Sequence, residues 1–280
     1  MIFPERNAEM MSMLSNLKEK LLPVCQQISA NFIYEMDYGR IRIKRKGGLG
    51  FLKKAFGRPT QEEEFLTSLN LRGKTVYDIG GHIGVLSVVF AKAVGPAGKV
   101  VVFEPNEENC SRIEGHIRLN ALTNVKLLRL GIADTKKEDQ TFIVRQGSTG
   151  TGSMSETLQS QIIKEKKFKQ LKVSIDTLDG AMAAHGLPEP DFIKIDIEGM
   201  EYQALLGMPQ IVKHFSPQFY IEIHGADDAG KCENIRRVTA LFESWGYGLR
   251  HVETHQDIAS GNSSLAKEGH IFCRRRAVKA

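Results

Sequence analysis

The 280-residue chain has little cysteine and tryptophan: four Cys and one Trp. Cys25, Cys110, Cys232 and Cys273 lie tens of residues apart and form no Cys-x-x-Cys pair, which argues against a zinc ribbon and a disulfide-stapled secreted scaffold. The first residues, MIFPERNAEM, lack the charged-then-apolar pattern of a secretory signal. Reduced thiols and a cytoplasmic location are therefore expected. No apolar run reaches about 18 residues, so no transmembrane helix is predicted. The chain also lacks a strong charge of one sign. Lys and Arg number 38 against 33 Asp and Glu, and the two signs are interleaved. A dedicated nucleic-acid-binding surface concentrates its basic residues, so no nucleic-acid partner is expected. Two basic clusters stand out, Lys164–Lys169 and Arg274–Arg276. They read as solvated surface, or as a weak contact with an acidic membrane surface or a phosphorylated ligand. There is no internal repeat or long low-complexity tract, and no feature specifies an oligomeric state.

What is present is an ordinary globular composition, 41% hydrophobic and 25% charged. Apolar residues at three- and four-residue steps (Met10, Met13, Leu14, Leu17, Leu21) predict a helix over residues 7–30. Residues 32–46 alternate like strands about a turn at Gly39, and the glycines between 47 and 60 read as a linker. This gives an N-terminal helix-and-hairpin extension, 1–57, and a main domain, 58–280. In the main domain strands alternate with helices: TVYDIG, KVVVFEP, NVKLLRLGIAD, FIKIDIEG and QFYIEIHG are the strand segments. The fold class is α/β, a doubly wound and mostly parallel sheet. Two short segments, TFIV (141–144) and KVSIDTL (172–178), flank a Gly/Ser/Thr loop and a basic helix. GLRHVET and GHIFCRRR close the domain as an antiparallel hairpin.

Asp78-Ile79-Gly80-Gly81-His82-Ile83-Gly84 lies between a strand and a helix. Gly80 and Gly81 let the backbone approach a ligand, and Gly84 opens the helix whose first N–H groups face it. Glu104 ends the next strand, where an acid accepts hydrogen bonds from ribose hydroxyls. The dinucleotide pattern GxGxxG fails at His82, and no P-loop lysine is present. That disfavours an NAD-dependent oxidoreductase. Asp78 would repel a pyrophosphate and suits an ammonium. The charge logic selects S-adenosyl-L-methionine (SAM), which carries an ammonium and a sulfonium and no phosphate.

A second constellation is Lys194-Ile195-Asp196-Ile197-Glu198-Gly199-Met200-Glu201. Alternation along a strand would put Lys194, Asp196 and Glu198 on one side. The following strand repeats the pattern with Tyr220, Glu222 and His224. If the strands are neighbours, Asp196, Glu198, Glu222 and His224 converge at the carboxyl end of the sheet, where open α/β sheets bind ligands. Three readings stay open. One carboxylate is a general base for a substrate hydroxyl. Asp196, Glu222 and His224 hold a divalent metal ion that acidifies that hydroxyl. Or the acids form a salt-bridged network around Lys194.

DIGGHIG (78–84), VFEPN (102–106), GIAD (131–134), IDTLD (175–179) and IKIDIEGMEYQALLG (193–207) resemble the FkbM family of SAM-dependent methyltransferases, in the same order and spacing over about residues 60–225. The resemblance implies a class I methyltransferase fold, a seven-stranded sheet with its last strand antiparallel. It also implies O-methylation of a small-molecule, sugar or glycan acceptor. It puts Asp78, Gly80, Gly81 and Gly84 around the methionine part of SAM, with His82 where the family usually has asparagine. Glu104 falls on the ribose, with Pro105 and Asn106 beside it. Ile132, Ala133 and Asp134 fall near adenine, and Asp196 and Glu198 next to the transferred methyl group. Asp196 is the first choice for base or metal ligand, with Lys194, Glu198, Glu222 and His224 as helpers. The segment Gly147–Ser155 resembles a glycine/serine stretch that closes over the cofactor. His251, His255 and Asp257 in the C-terminal loops read either as surface residues, the commoner role of lone histidines near a turn, or as further residues that reach the site. The alternative is a methyltransferase-like protein that binds SAM without catalysis. A nucleic-acid amino-methyltransferase is disfavoured, because DIEG stands where such enzymes often carry NPPY or DPPY.

Overall fold

The computed structural model describes residues 32–36, 41–45, 61–145, 152–165 and 167–276. The chain divides into two units, residues 1–59 and 60–280. In the first unit, strands β1 (Phe32–Met36) and β2 (Ile41–Arg45) pair antiparallel with Phe32 opposite Arg45. The helix expected over residues 7–30, Gly39 and the linker lie outside the described residues.

The second unit begins with helix α1 (Gln61–Ser68). Strand β3 (Thr75–Ile79), helix α2 (Val85–Val94), strand β4 (Lys99–Phe103), helix α3 (Glu107–Leu119) and strand β5 (Val125–Leu128) follow as a wound βαβαβ run. Local chemistry sets the helix ends. The Asn106 side chain accepts from the Glu108 N–H at the start of α3. Glu107 and Glu108 occupy its first turn, and His116 and Arg118 its last, matching the helix dipole. Four short or paired strands come next in the fold: β6 (Gly131–Ile132), β7 (Lys137–Arg145), β8 (Gly152–Ser153) and, after helix α4 (Glu156–Lys164), β9 (Phe168–Asp176). Helix α5 (Leu178–His185), capped by Thr177, leads to β10 (Phe192–Ile195), α6 (Glu201–Leu206), α7 (Pro209–Phe215) and β11 (Gln218–Glu222). Helix α8 (Asp228–Ser244) and strands β12 (Tyr247–His251), β13 (Asp257–Ile258) and β14 (His270–Arg275) complete the chain.

The main sheet has eight strands in the order β13-β12-β14-β11-β10-β3-β4-β5. β5, β4, β3, β10 and β11 are parallel, and β14 runs antiparallel between β11 and β12. This is the expected class I arrangement and terminal hairpin, with the two-residue β13 added as an eighth strand at the edge. One face packs Tyr77, Ile79, Phe103, Ile193, Ile195 and Phe219 against α5 to α8. The other packs Val76, Val100, Val102, Phe192 and Tyr220 against α1, α2 and α3. The central strands are buried on both faces, which is why they read as near-continuous apolar runs.

Two expectations are corrected. NVKLLRLGIAD is not one strand: β5 ends at Leu128, and Gly131–Ile132 instead pair with β9 in a separate sheet of order β6-β9-β7-β8. TFIV and the first five residues of KVSIDTL belong to that second sheet, where β7 and β9 form a long antiparallel ribbon, and Thr177 and Leu178 already cap and start α5. Its own core joins Ala133, Phe142, Val144, Met154, Val173 and Ile175. The basic helix expected between them stops at Lys164, and Phe168 and Lys169 already belong to β9.

The second sheet meets the α6 end closely at Gly207. A Cβ there would lie 2.0 Å from the Ala133 carbonyl oxygen, which is backbone and cannot yield. Gly207→Ala is therefore expected to destabilise the fold by about 1–3 kcal/mol, as an overpacked contact does. A urea-denaturation midpoint unchanged from wild type would contradict this close approach.

Candidate active site

The site begins with a charge pair inside the sheet. Lys194 on β10 stands directly opposite Asp78 on β3 in the register, and their side chains point to the same face. Both are buried, at 4% and 0% side-chain exposure, and Lys194 Nζ lies 3.3 Å from Asp78 Oδ1. The same ammonium reaches Asp196 Oδ2 at 3.4 Å and donates to the Gly80 carbonyl at 2.8 Å. Ser87 of α2 donates to the other oxygen of Asp78 at 2.5 Å. Burial by itself would drive the proton off Lys194, but Asp196 and Asp78 outweigh it and hold the amine charged. The expected placement of Asp78 on an ammonium ligand is thus not what the geometry shows. Asp78 is sealed behind the glycine loop, and its partners are Lys194 and Ser87.

The glycine loop folds over this pair. Gly80 has φ +81°, and a Cβ on it would lie 1.9 Å from the Asp196 carbonyl oxygen. The Gly80 and Gly81 N–H groups both donate to the Phe103 carbonyl. Gly84 is the residue that opens α2. His82 takes φ +51° and donates its backbone N–H to Glu104 Oε2 at 2.8 Å. Glu104 also accepts from the Asn106 N–H at 2.9 Å and from Asn109 Nδ2 at 3.3 Å, both on Oε1. Burial pushes Glu104 up to about 7, although those hydrogen bonds and Lys194 pull the other way. Three of its roughly four lone-pair sites are engaged, which leaves Oε2 able to accept one more hydroxyl.

Between Glu104 and Asp196 opens a cleft of about 690 Å³, counting the space to its mouth. Of the residues expected at the cofactor, Gly80, His82, Glu104, Pro105, Asn106, Ile132 and Asp196 line it, and Glu198 joins them. Asp78, Gly81, Gly84, Ala133 and Asp134 do not. Ala133 is buried in the second sheet's core, and Asp134 is exposed. The second sheet supplies a wall that the sequence did not announce: Phe142, Val144, Gly152 and Met154. Gly152 and Met154 fall in the glycine/serine segment expected to close over the cofactor. Residues 147–151 of that segment lie outside the described residues.

At the other end of the cleft the carboxylates gather. β10 and β11 are neighbours, as the convergence required. Glu198 is not on the strand, because β10 ends at Ile195. It sits in the following turn with φ +52°, where its backbone carbonyl accepts from Ser153 Oγ at 2.7 Å. His224 Nε2 faces three carboxylates: Glu222 at 3.6 Å, and Asp196 and Glu198 at 3.9 Å each. One ligand atom each from Asp196, Glu222 and His224 fall within 4.8 Å of one another, close enough to share one ion. Behind them is Glu201, fully buried, which was quoted in the motif but given no role. It accepts from His224 Nδ1 at 3.1 Å and from Asn234 Nδ2 at 2.6 Å. Burial opposes a charge on His224, but Glu201, then Asp196 and Glu198, raise it to about 10. His270 is a second cation that no motif signalled. It bonds Glu253 at 2.6 Å and lies 3.7 Å from both Glu222 and Glu62, and it is raised to about 9. His251 is tied to Thr254 and the Glu268 carbonyl, and His251, His255 and Asp257 do not line the cleft.

The carboxylates of Asp196 and Glu198 are driven in opposite directions. Burial raises both, but Lys194 and then His224 bring Asp196 below its ordinary value. Glu198 has His224 on its side, but burial, Asp196, Glu222 and Glu201 outweigh it, and it rises to about 7. Removing the shared cation exposes the cost. Lys194→Met is expected to lower stability by about 3–5 kcal/mol, because it leaves Asp78 buried without a counter-charge. The paired change with Asp78→Leu should recover much of that loss. Urea denaturation of both variants checks this, and a double variant no more stable than Lys194→Met would refute the pairing.

Comparison with known proteins places this geometry. A family model described as the methyltransferase FkbM domain matches residues 78–249. The AMB antimetabolite synthetase AmbE of Pseudomonas aeruginosa is 21% identical over 200 residues, which are 61% of this chain and 9% of that protein. The crystal structure of the methyltransferase FkbM from Methylobacillus flagellatus superposes with a TM-score of 0.50 at 16% identity, over 78% of this chain and 48% of that one. An O-methyltransferase from Bacillus cereus, in complex with S-adenosylhomocysteine (SAH), gives a TM-score of 0.46 at 15% identity over 79% and 82%. The chain thus spans less than half the length of the first two relatives. The glycine loop, Glu104 and the acid-ended strands β10 and β11 all fall within the matched span, and the chain belongs to the FkbM family of SAM-dependent methyltransferases.

Proposed function

We propose that this chain transfers the methyl group of SAM to a hydroxyl of a sugar, glycan or natural-product acceptor. The observation that carries the reading is one cleft with Glu104 at one end and Asp196 and Glu198 at the other. The cleft fits the cofactor. Glu104 keeps a lone pair for a ribose hydroxyl. Gly80 lines the cleft from a loop that packs directly on the Asp196 backbone, where no Cβ fits. Ile132, Phe142 and Met154 offer apolar surface to a base. When bound, SAM supplies a methyl group already activated on a sulfonium.

What remains for the protein is to position the acceptor, exclude water and take its proton. Glu198 suits that last task better than Asp196. A base is most effective when its pKa lies near the working pH, and Glu198 sits at about 7 while Asp196 is held low by Lys194. Asp196 then orients the acceptor hydroxyl. His224, fixed by Glu201, sets a positive charge among the neighbouring acids without a further ion. A SAM-binding protein without catalysis would have no use for two carboxylates tuned apart in this way.

Glu198 works as a base only when ionised. kcat/KM should therefore fall about tenfold per pH unit below about pH 7 and level off above it. Glu198→Gln is expected to lower kcat by roughly 10²- to 10⁴-fold while SAH binding, read by calorimetry, stays within a few-fold of wild type. Loss of SAH binding in that variant, or an unchanged pH profile, would sink the assignment.

The three donor atoms within 4.8 Å favour one other reading, a divalent ion at Asp196, Glu222 and His224. With His224 as the cluster's cation, activity after EDTA treatment should match the untreated enzyme. Activity lost to EDTA and restored by Mg²⁺ or Mn²⁺ would transfer the hydroxyl's activation from Glu198 to a metal.

A further inference from the structure

The arginine cluster at the C-terminal end has no part in the methyl-transfer site, and the fold gives it a setting of its own. Gly248 and Arg250 on β12 stand opposite Arg274 and Phe272 on β14. Alternation puts Arg250, Phe272 and Arg274 on one face of the hairpin. Arg276 continues along that face, and its side chain lies over Gly248: a Cβ built on that glycine would be 3.6 Å from Arg276 Cγ and Nε. Arg250 and Arg274 are therefore diagonal neighbours, about 7–8 Å apart at Cα. Among the described residues, no carboxylate lies within ion-pair distance of Arg250, Arg274 or Arg276. Their neighbour Arg275 also borders the groove described below, but its guanidinium donates to Ser216 Oγ at 2.7 Å.

These side chains edge a groove of about 1750 Å³, counting its open space. Its floor is apolar and aromatic. Phe65 of α1 sits edge-on to Phe272, with ring centroids 5.1 Å apart. One acid, Asp257, lines the groove among the described residues, opposite Arg250 in the register. No residue is shared with the cofactor cleft.

Three unpaired guanidinium groups on one face repel one another, and an anion between them relieves that. Guanidinium forks match phosphate oxygens in pairs, which makes arginine the residue suited to phosphoryl recognition. We propose that this groove binds a small organic phosphate with adjacent phosphoryl groups. Arg250, Arg274 and Arg276 hold the phosphates, and the ligand's apolar or ring portion lies on Phe65 and Phe272. The recess and its aromatic floor favour a soluble molecule over a flat anionic membrane, whose headgroups would meet only the rim. The site stands independently of the methyl-transfer reading.

The test is calorimetric titration of the full chain with pyrophosphate and with uridine diphosphate, at low and at raised salt. Saturable binding of both is expected, tighter for the nucleotide and weaker as salt rises. Arg250→Ala and Arg274→Ala should each weaken it about tenfold, the loss expected for one charge-assisted contact. Both are exposed, so their melting temperatures should match wild type and show the fold intact. Affinities unchanged in both variants, or no saturable binding of either probe at millimolar concentration, would overturn the proposal. So would sedimentation with phosphatidylserine vesicles but not neutral ones in the absence of pyrophosphate binding, which would make the cluster a membrane contact.

Discussion

Everything around the cleft hangs on one buried ammonium. Lys194 occupies a position on a central parallel strand where such sheets carry apolar side chains. Its contacts are Asp78 on the next strand, the carbonyl of Gly80 in the loop, and Asp196 at the end of its own strand. One cation therefore links the strand, the glycine loop and the acid end of the cleft. A hydrophobic substitute for the whole pair would pack as well, since buried ion pairs add little net stability. What Lys194 supplies is position and charge: it fixes the loop backbone and keeps Asp196 ionised.

The rest of the acid cluster is a problem of like charges, solved by placement. Asp196, Glu198 and Glu222 converge on His224, and Glu222 and Glu62 on His270. Each histidine is held from behind by a further carboxylate, Glu201 or Glu253, so its remaining face is turned to the cluster. The protons then distribute unevenly. Asp196, nearest Lys194, stays charged, and Glu198, farther from that ammonium, retains affinity for a proton. Two carboxylates two residues apart thereby acquire different chemistry from their surroundings alone.

The second sheet completes the site from outside the wound core. The chain leaves the main sheet after Leu128, and β6 to β9 build a separate layer whose residues Phe142 and Met154 wall the cleft. Gly207 lets that layer approach α6 closely. The cleft is thus a seam between two sheets, with polar groups from the first and apolar surface from the second.

Much of this was legible in the sequence. Periodicity and strand–helix alternation gave the wound sheet and its terminal hairpin, because burial on both faces leaves a local record in each strand. DIGGHIG and Glu104 marked one end of the cleft, since close backbone approach and an acid at a strand terminus need particular residues at particular spacings. Asp196, Glu222 and His224 could be paired because β10 and β11 follow one another in the chain. Local pattern could not place Asp78, whose carboxylate is as polar to the reader whether it faces a ligand or a buried lysine; only the register opposite Lys194 decided that. Nor could it divide NVKLLRLGIAD between two sheets, since both halves are equally extended. Glu62, Glu201 and His270 joined the site only through folding, because their partners lie up to about two hundred residues away in the chain. Residue type and spacing are set by local physics and can be read in order. The proton balance between Asp196 and Glu198 is set by distances between residues far apart in sequence, and only the tertiary structure brings those together.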